Sequence, residues 1–184
     1  MTPALTLEPL SRAHLPEMAA LWADPAVIRW TNIAAPCTPA ETAARLDCLL
    51  DCQQSLPAPA VFAVRERETF RGLAGCPPVD ASAGTYGLFY QLLPACWGRG
   101  LGLAAAREAL RRLEKLTPSL VLADTVAENT ASVRILERLG FVRTAVRSDA
   151  FRREGRALDI WDYALRLGGS DGSALRDGPH ITEK

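Results

Sequence analysis

The apolar residues of this chain recur at two spacings, at alternate positions in some segments and at helical positions in others. Alternation in residues 5–8 predicts a short strand, and a helical face follows in residues 11–22 until Asp24-Pro25. The best-defined helix is predicted from Thr38 to about Gln54. It begins with a threonine cap, a proline at the first helical position and a glutamate at the third, which together form a capping box.

The middle and the end of the chain predict most of the strands. Three apolar or alternating runs, separated by charged or glycine-containing turns, indicate an antiparallel meander. Helical spacing then resumes until Pro118, and the buried strand after it completes a strand, glycine turn, helix, strand unit of the βαβ type. A short helix capped by Asn129 and ended by Gly140 follows. The strands predicted here cover residues 61–64, 73–79, 85–93, 120–123, 141–146 and 158–167.

These elements predict a single α/β domain. We expect a mixed, mainly antiparallel twisted sheet of about six or seven strands with helices on both faces. The chain has 184 residues, of which 48% are hydrophobic, and this is enough for a core of its own. The domain is assigned to residues 1–167. Residues 168–184 lose all periodicity and are predicted to be a loosely ordered tail.

Charge and cysteine content limit the partners. The 21 basic and 21 acidic side chains cancel, so neither nucleic acid nor an anionic membrane is expected as a partner. Seven arginines in residues 134–156 could meet a phosphorylated cofactor or form a solvated surface. No membrane span or secretion signal is expected. The five cysteines are irregularly spaced, so we expect no metal site, and reduced thiols in a cytoplasmic protein.

A glycine-rich stretch lies between a predicted strand and an alanine-rich helix. Gly98, Gly100 and Gly102 stand at alternate positions, which suits neither a strand nor a helix interior and indicates close approach of bare backbone. A helix that begins there leaves unpaired N–H groups and the positive end of its dipole at the turn. Such a turn is typical of an anion site, usually for phosphate. The alternative is a tight strand-to-helix connection with no ligand.

Three motifs in this order carry a family resemblance. They are PACWGRGLG at residues 94–102, ENTAS at 128–132 and LERLGF at 136–141. The chain resembles the GNAT superfamily of N-acetyltransferases over about residues 4 to 167. It is most similar to the RimJ/RimL-like branch, the ribosomal-protein N-terminal acetyltransferases. Trp97 stands where many members carry Gln or Arg, as is common in that branch.

The resemblance implies transfer of an acetyl group from acetyl-coenzyme A (acetyl-CoA) to a primary amine, by direct attack in a ternary complex. The amine would belong to a protein or peptide N-terminus or to a small molecule, and a homodimer is expected. The glycine turn would bind the pyrophosphate through backbone amides, and the strand ending at residues 90–93 would pair with the pantetheine arm. The implied cofactor-binding residues are Leu92, Trp97, Gly98, Arg99, Gly100, Leu101, Gly102, Leu103, Ala104, Asn129 and Ser132.

Ser132 is the predicted catalytic residue. Its hydroxyl could hydrogen-bond the leaving thiolate, while backbone donors near Leu92 stabilise the oxyanion. Alternatively, Ser132 belongs only to the first turn of a helix that Asn129 caps. Trp30, in a polar loop, and Tyr90 are the candidates for binding the acceptor, although a tryptophan in such a loop could equally fill the core.

The general base is not apparent in the sequence. The amine must lose a proton before it attacks, usually to a carboxylate. Many family members carry a glutamate where this chain has Gly87. Glu8, Asp124 and Glu128 are the candidates to replace it.

Two other functions stay open at this point. One is a dinucleotide-dependent oxidoreductase, because the glycines also fit a nucleotide-binding turn and Asp124 follows about twenty residues later. The other is an acyl-CoA-binding module without catalysis, which the glycine at position 87 permits.

Overall fold

The computed structural model describes residues 5–167, and the tail predicted at 168–184 lies outside them. In that range the chain forms nine strands and five α-helices. The strands are β1 (Thr6–Pro9), β2 (Val61–Glu66), β3 (Thr69–Gly75), β4 (Pro78–Asp80), β5 (Thr85–Gly87), β6 (Phe89–Leu92), β7 (Leu120–Val126), β8 (Val142–Arg153) and β9 (Arg156–Arg166). The helices are α1 (Leu15–Ala23), α2 (Pro25–Ile28), α3 (Pro39–Asp51), α4 (Leu101–Leu113) and α5 (Thr130–Arg138).

The strands form two sheets. The first has the order β1-β2-β3-β6 and is antiparallel throughout. The second has the order β4-β5-β7-β9-β8, in which β5 and β7 form the parallel pair. The predicted α/β fold with a mixed, mainly antiparallel sheet is therefore confirmed. There are more strands than expected, because two runs predicted as single strands, 73–79 and 85–93, are each interrupted.

The interruption at Leu88 divides the two sheets. β5 pairs with β7, whereas β6, which begins one residue after Leu88, pairs with β3. Leu88 N still donates to Leu122 O at 2.8 Å, and beyond this bond the two strands separate. The predicted βαβ unit needs a correction, because the parallel partner of β7 is β5 and not the strand directly before the glycine turn. The predicted antiparallel meander is confirmed, because β3 pairs antiparallel with β2 and β6, and β4 with β5, although these pairings are divided between the two sheets.

The predicted helix starts are confirmed where the sequence contains capping residues. Thr38 N donates to Glu41 Oε2 at 2.8 Å and Glu41 N donates to Thr38 Oγ1 at 3.3 Å, which confirms the capping box of α3. The helix ends at Asp51, three residues earlier than expected. The predicted end of the first helix at Asp24-Pro25 is confirmed, because α1 ends at Ala23 and Asp24 is its extended C-cap residue. The carboxylate of Asp24 accepts from Ala26 N at 2.9 Å and so caps α2.

The core has two parts, one on each face of the first sheet. Side chains alternate along β2, so Phe62 and Val64 pack with α4 while Val61 and Ala63 pack with α1 and α3. The helices cover both faces because both sides of β2 are apolar. Leu101 of α4 and Leu21 of α1 are fully buried on opposite sides.

Three further findings concern partners. Within residues 5–167, no helix is both long and apolar enough to cross a membrane. All five cysteines are free thiols. In the same range, no group of three or more His, Cys, Asp or Glu side chains is arranged to hold a metal ion.

Candidate active site

A cleft opens where β6 and β7 separate. Leu93 N donates to Arg71 O at 2.9 Å, which fixes the register between β6 and β3. Because the backbone of an antiparallel strand alternates in direction, the amide and carbonyl groups of Tyr90 and Leu92 point away from β3 and into the cleft. One edge of β6 is therefore exposed to a ligand that can hydrogen-bond like a strand.

The glycine turn forms the end of this cleft. Gly98 and Gly100 have φ values of 70° and 79°, in the left-handed region that favours glycine. A β-carbon at either position would meet nothing within 4 Å, so the space in front of the turn is empty of protein. The first bond of α4 runs from Ala104 N to Gly100 O at 3.1 Å, and no side chain caps the helix. The amides of residues 101–103 therefore have no acceptor within the helix.

Gly102 serves a different purpose. A β-carbon there would lie 3.0 Å from Ile135 Cδ1, so the glycine lets α5 pack closely against the start of α4. This packing brings the N-terminal ends of both helices to the same side of the cleft.

Arg99 turns its side chain away from the cleft. Its Nη2 lies 2.7 Å from Glu66 Oε1, and Arg71 binds the other oxygen of Glu66 at 2.9 Å. Partial burial would raise the pKa of Glu66, but the hydrogen bond and charge of Arg99, helped by Arg71, hold that pKa below its ordinary value. Arg99 therefore anchors the turn from behind and can offer only backbone groups to a ligand.

A cavity of about 630 Å³ fills the cleft, within the range of small-molecule sites. The structure brings most of the predicted site residues to its wall. Arg99, Leu101 and Ala104 are exceptions, since their side chains do not line it and Leu101 is fully buried. The predicted residues that line the cavity are Trp30, Tyr90, Leu92, Trp97, Gly98, Gly100, Gly102, Leu103, Asn129 and Ser132.

Tyr90 and Ser132 meet inside the cavity. The Tyr90 hydroxyl lies 2.8 Å from Ser132 Oγ, in a hydrogen bond that either group can donate. Burial raises the pKa of Tyr90 to about 12, and the bond to Ser132 only partly opposes this. The phenol therefore keeps its proton at neutral pH. Asn129 caps α5 by accepting from Ser132 N at 3.3 Å, which orients the first turn that carries Ser132.

Trp97 occupies part of the open edge of β6. Its Nε1 donates to Leu92 O at 2.8 Å, while the side chain remains about half exposed. The carbonyl of Leu92 already has a donor, so its N–H is the group of that residue left to face the cleft.

The three candidate general bases lie in different places. Glu8 is ion-paired with Arg65 on the first sheet, and Glu128 lies 2.6 Å from Arg156. Neither lines the cavity, so the structure argues against both. Asp124 does line it, with its Oδ2 held 2.7 Å from Arg147 Nη2.

Two arginines of the site were missed in the sequence. Arg134 and Arg138 stand one helical turn apart on α5 and line the cavity. Within residues 5–167, neither has a carboxylate within 4.0 Å. The only signal was the arginine-rich composition of residues 134–156, which does not distinguish a solvated residue from one that faces a ligand.

Fold and site together define a class of protein. Free amides and two arginines could bind an anion, an open strand edge could bind an amide-bearing arm, and a hydrogen-bonded pair of hydroxyls lines the same cavity. This combination suits a transferase that takes an acyl group from a phosphorylated thioester carrier. The chain belongs to the GNAT family, because the family model "Acetyltransferase (GNAT) domain" matches residues 4–142. As a member of this family it is an acetyltransferase that uses acetyl-CoA.

Individual relatives agree with this membership. The uncharacterized N-acetyltransferase p20 of Bacillus licheniformis is 26% identical over 172 residues, which cover 89% of this chain and 93% of the relative. Spermidine N-acetyltransferase from Vibrio cholerae, solved with CoA and spermine, has a TM-score of 0.74 at 20% identity and covers 88% and 95% of the two chains. RimL, an acetyltransferase of a ribosomal protein solved with coenzyme A, has a TM-score of 0.78 at 16% identity and covers 90% and 96%. At these identities the two structures show the fold alone.

The dinucleotide alternative is set aside by these findings. β6 does not lie beside β7, as a nucleotide-binding βαβ unit would require. Asp124, the supposed ribose ligand, is instead held by Arg147.

Proposed function

We propose that this acetyltransferase transfers the acetyl group to a primary amine by direct attack in a ternary complex. The observation that carries the proposal is the hydrogen bond of 2.8 Å between Tyr90 and Ser132, next to the open edge of β6. This pair supports the proposal because it offers a hydroxyl proton donor, inside the cavity, for the thiolate of the departing coenzyme.

The residues around the cleft fit the cofactor. The free amides of residues 101–103 would hold the pyrophosphate, and the positive end of α4 favours the same charge. Arg134 and Arg138 add two cations for the remaining phosphate. The edge of β6 at Tyr90 and Leu92 would pair with the amides of the pantetheine arm. Because Trp97 bonds Leu92 O, its indole would have to move or share that carbonyl.

The residues of the cleft can be assigned to the steps of the transfer reaction. Acetyl-CoA supplies a thioester carbonyl that an uncharged amine can attack. Leu92 N–H points into the cleft and would donate to the oxygen that becomes negative. Ser132 would donate its proton to the sulfur as Tyr90 passes its own proton to Ser132 through their shared hydrogen bond, and the Tyr90 phenolate would then regain a proton from solvent. Asp124 is the carboxylate of the cavity wall that would accept the proton from the amine, directly or through water.

The acceptor would enter on the side of the cavity formed by α2 and the loop after it. Trp30 and Thr31 line that side. A protein or peptide N-terminus is the first candidate, supported by the motif resemblance to the RimJ/RimL-like branch, and a small-molecule amine is the second.

The free thiols of all five cysteines support a cytoplasmic location. A homodimer stays a prediction.

The test combines cofactor binding with an acceptor screen. Calorimetry measures the Kd of acetyl-CoA, and thiol release is followed with an amine panel. The panel contains twenty tetrapeptides that differ in their free N-terminal residue, spermidine, kanamycin and the free amino acids. We expect Ser132→Ala and Tyr90→Phe to lower kcat by about 100-fold, the lower range for a positioned proton donor, with an unchanged Kd for acetyl-CoA.

The control is Ser148→Ala, which removes an exposed hydroxyl on β8 and should change neither value. If acetyl-CoA binds but no amine of the panel releases thiol, the proposed acceptor classes are refuted. If Ser132→Ala keeps its full kcat, Ser132 has only the structural role in α5.

A further inference from the structure

The loop on the acceptor side is held by a residue far away in the sequence. Residues 28–34, here called the acceptor loop, join the end of α2 to the segment before α3 and form no strand or helix beyond Ile28. Buried backbone carbonyls outside regular structure need donors from elsewhere. Arg153, the last residue of β8, supplies them.

One guanidinium group binds four carbonyls of this loop. Arg153 Nη1 donates to Ala34 O at 2.8 Å. Its Nη2 lies 2.9 Å from Thr31 O, 2.8 Å from Ile33 O and 3.4 Å from Ile28 O. The contacts span the whole acceptor loop, so they fix its path and not only one of its residues.

Arg153 forms no ion pair in the described part of the chain. No carboxylate lies within 4.0 Å of it there, and its Nε is buried without an acceptor. Its guanidinium carbon also lies 5.4 Å from the centre of the Phe151 ring. A cation in this position is stabilised mainly by the loop carbonyls, and the planar fork of arginine suits them, with the two hydrogens of Nη2 shared among three carbonyls.

The acceptor loop carries part of the cavity wall. Trp30 and Thr31 line the cavity, and the carbonyl of Thr31 is one of the four that Arg153 contacts. We propose that Arg153 is a positioning residue, which holds Trp30 and Thr31 in place for the acceptor amine and leaves acetyl-CoA binding unaffected. This inference rests on the proposed function, because it needs the amine to enter beside this loop.

The experiment separates loop order from cofactor binding. Arg153→Met keeps the apolar stem and removes all donors, whereas Arg153→Lys keeps the charge with fewer donors. Arg152→Met is the matched control, since Arg152 is an exposed neighbour on the same strand. Trypsin cleavage after the exposed Arg29 is followed by mass spectrometry. Cleavage after Arg67, in the exposed turn between β2 and β3, is the internal reference.

We expect Arg153→Met to accelerate cleavage after Arg29 at least tenfold relative to Arg67, and Arg152→Met to leave the ratio unchanged. For the panel amine that the wild type acetylates fastest, Arg153→Met should raise KM at least tenfold, with kcat within threefold and the Kd of acetyl-CoA within twofold. Arg153→Lys should give an intermediate KM, and it replaces Arg153→Met if that variant does not fold.

Two results would overturn the inference. One is an unchanged cleavage ratio, and the other is a loss of acetyl-CoA affinity equal to the rise in KM, which would indicate a general structural role. If the wild type binds no acetyl-CoA, the proposed function fails, while the cleavage ratio still reports whether Arg153 holds the loop. The two failures are therefore distinguishable.

Discussion

Gly100 offers a direct test of the anion site. It caps α4 with φ near 79°, and a β-carbon there would meet nothing within 4 Å. Gly100→Asp and Gly100→Asn place side chains of almost equal size at the turn, and both residues tolerate the left-handed conformation better than others. The pair differs only in one negative charge, so the comparison isolates electrostatics from backbone strain.

The size of the effect follows from Coulomb's law. At roughly 6 Å in water, two unit charges repel by ~0.7 kcal/mol, and at an effective dielectric constant of about 20 by ~3 kcal/mol. A pyrophosphate with two charges therefore loses at least ~1.4 kcal/mol of binding energy beside the new carboxylate, which is about tenfold in Kd. The strain of a side chain in the left-handed region costs up to about 1–2 kcal/mol of stability in either variant.

The assay is calorimetric titration of acetyl-CoA into the wild type and the two variants. We expect Gly100→Asp to bind at least tenfold more weakly than Gly100→Asn. The ratio should fall as salt rises from about 0.05 to 0.5 M, because salt screens exposed charges. Melting temperatures of the two variants should agree, since they share the same backbone strain. Equal affinities for acetyl-CoA in both variants, at any salt concentration, would refute the location of the pyrophosphate at this turn.

Three other predictions concern binding, stability and pH. Replacing either Arg134 or Arg138 by Gln should weaken acetyl-CoA binding about tenfold and reduce its salt dependence, which calorimetry at two salt concentrations measures. Gly72→Ala should destabilise the fold by more than about 3 kcal/mol in urea unfolding, because its β-carbon would lie 2.0 Å from Gln91 O. The pKa of Tyr90 is raised to about 12 from 10.0 by burial, so the folded state holds this proton more tightly than the unfolded state. The Tyr90 proton therefore contributes about 3 kcal/mol at most to the free energy of unfolding. This contribution is present below pH 10 and is lost as the pH rises toward 12.

Each of these has its own control. Arg107→Gln, on the exposed side of α4, should leave the affinity for acetyl-CoA unchanged. Gly155→Ala should cost only about 1 kcal/mol, because Gly155 also has positive φ but a β-carbon there meets nothing. Tyr90→Phe should abolish its share of the alkaline loss of unfolding free energy, so equal pH dependence in wild type and Tyr90→Phe would contradict the last prediction. Burial also raises the pKa of Cys76 to about 12, so this thiol contributes to the alkaline loss of stability as well. Only the difference in pH dependence between the wild type and Tyr90→Phe therefore reports on Tyr90.

Local features of the molecule could be predicted from the sequence. The capping box of α3 depends on residues three positions apart, and Asn129 caps α5 through Ser132 N in the same way. The glycine turn could also be predicted, because only glycine adopts the positive φ of Gly98 and Gly100 without strain. Such interactions join neighbours in the chain, so the order of residues is enough to define them.

The contacts that build the site required the tertiary structure. The break at Leu88 lies inside a continuous apolar run, and only the pairing partners of β5 and β6 show that two sheets separate there. Among Glu8, Asp124 and Glu128, residue type allowed all three as bases, whereas the fold brings Asp124 to the cavity wall and pairs the other two elsewhere.

The sequence by itself therefore determined the capped helices, the glycine turn and the motifs that carry the family resemblance, which depend on short stretches of residues. The tertiary structure decided that Tyr90 meets Ser132 across 42 positions, and that Arg153 meets Thr31 across 122. These pairs come together because β6 and β8 each pack against segments distant in the chain. No periodicity or local spacing records which distant groups a folded backbone will bring within hydrogen-bonding distance.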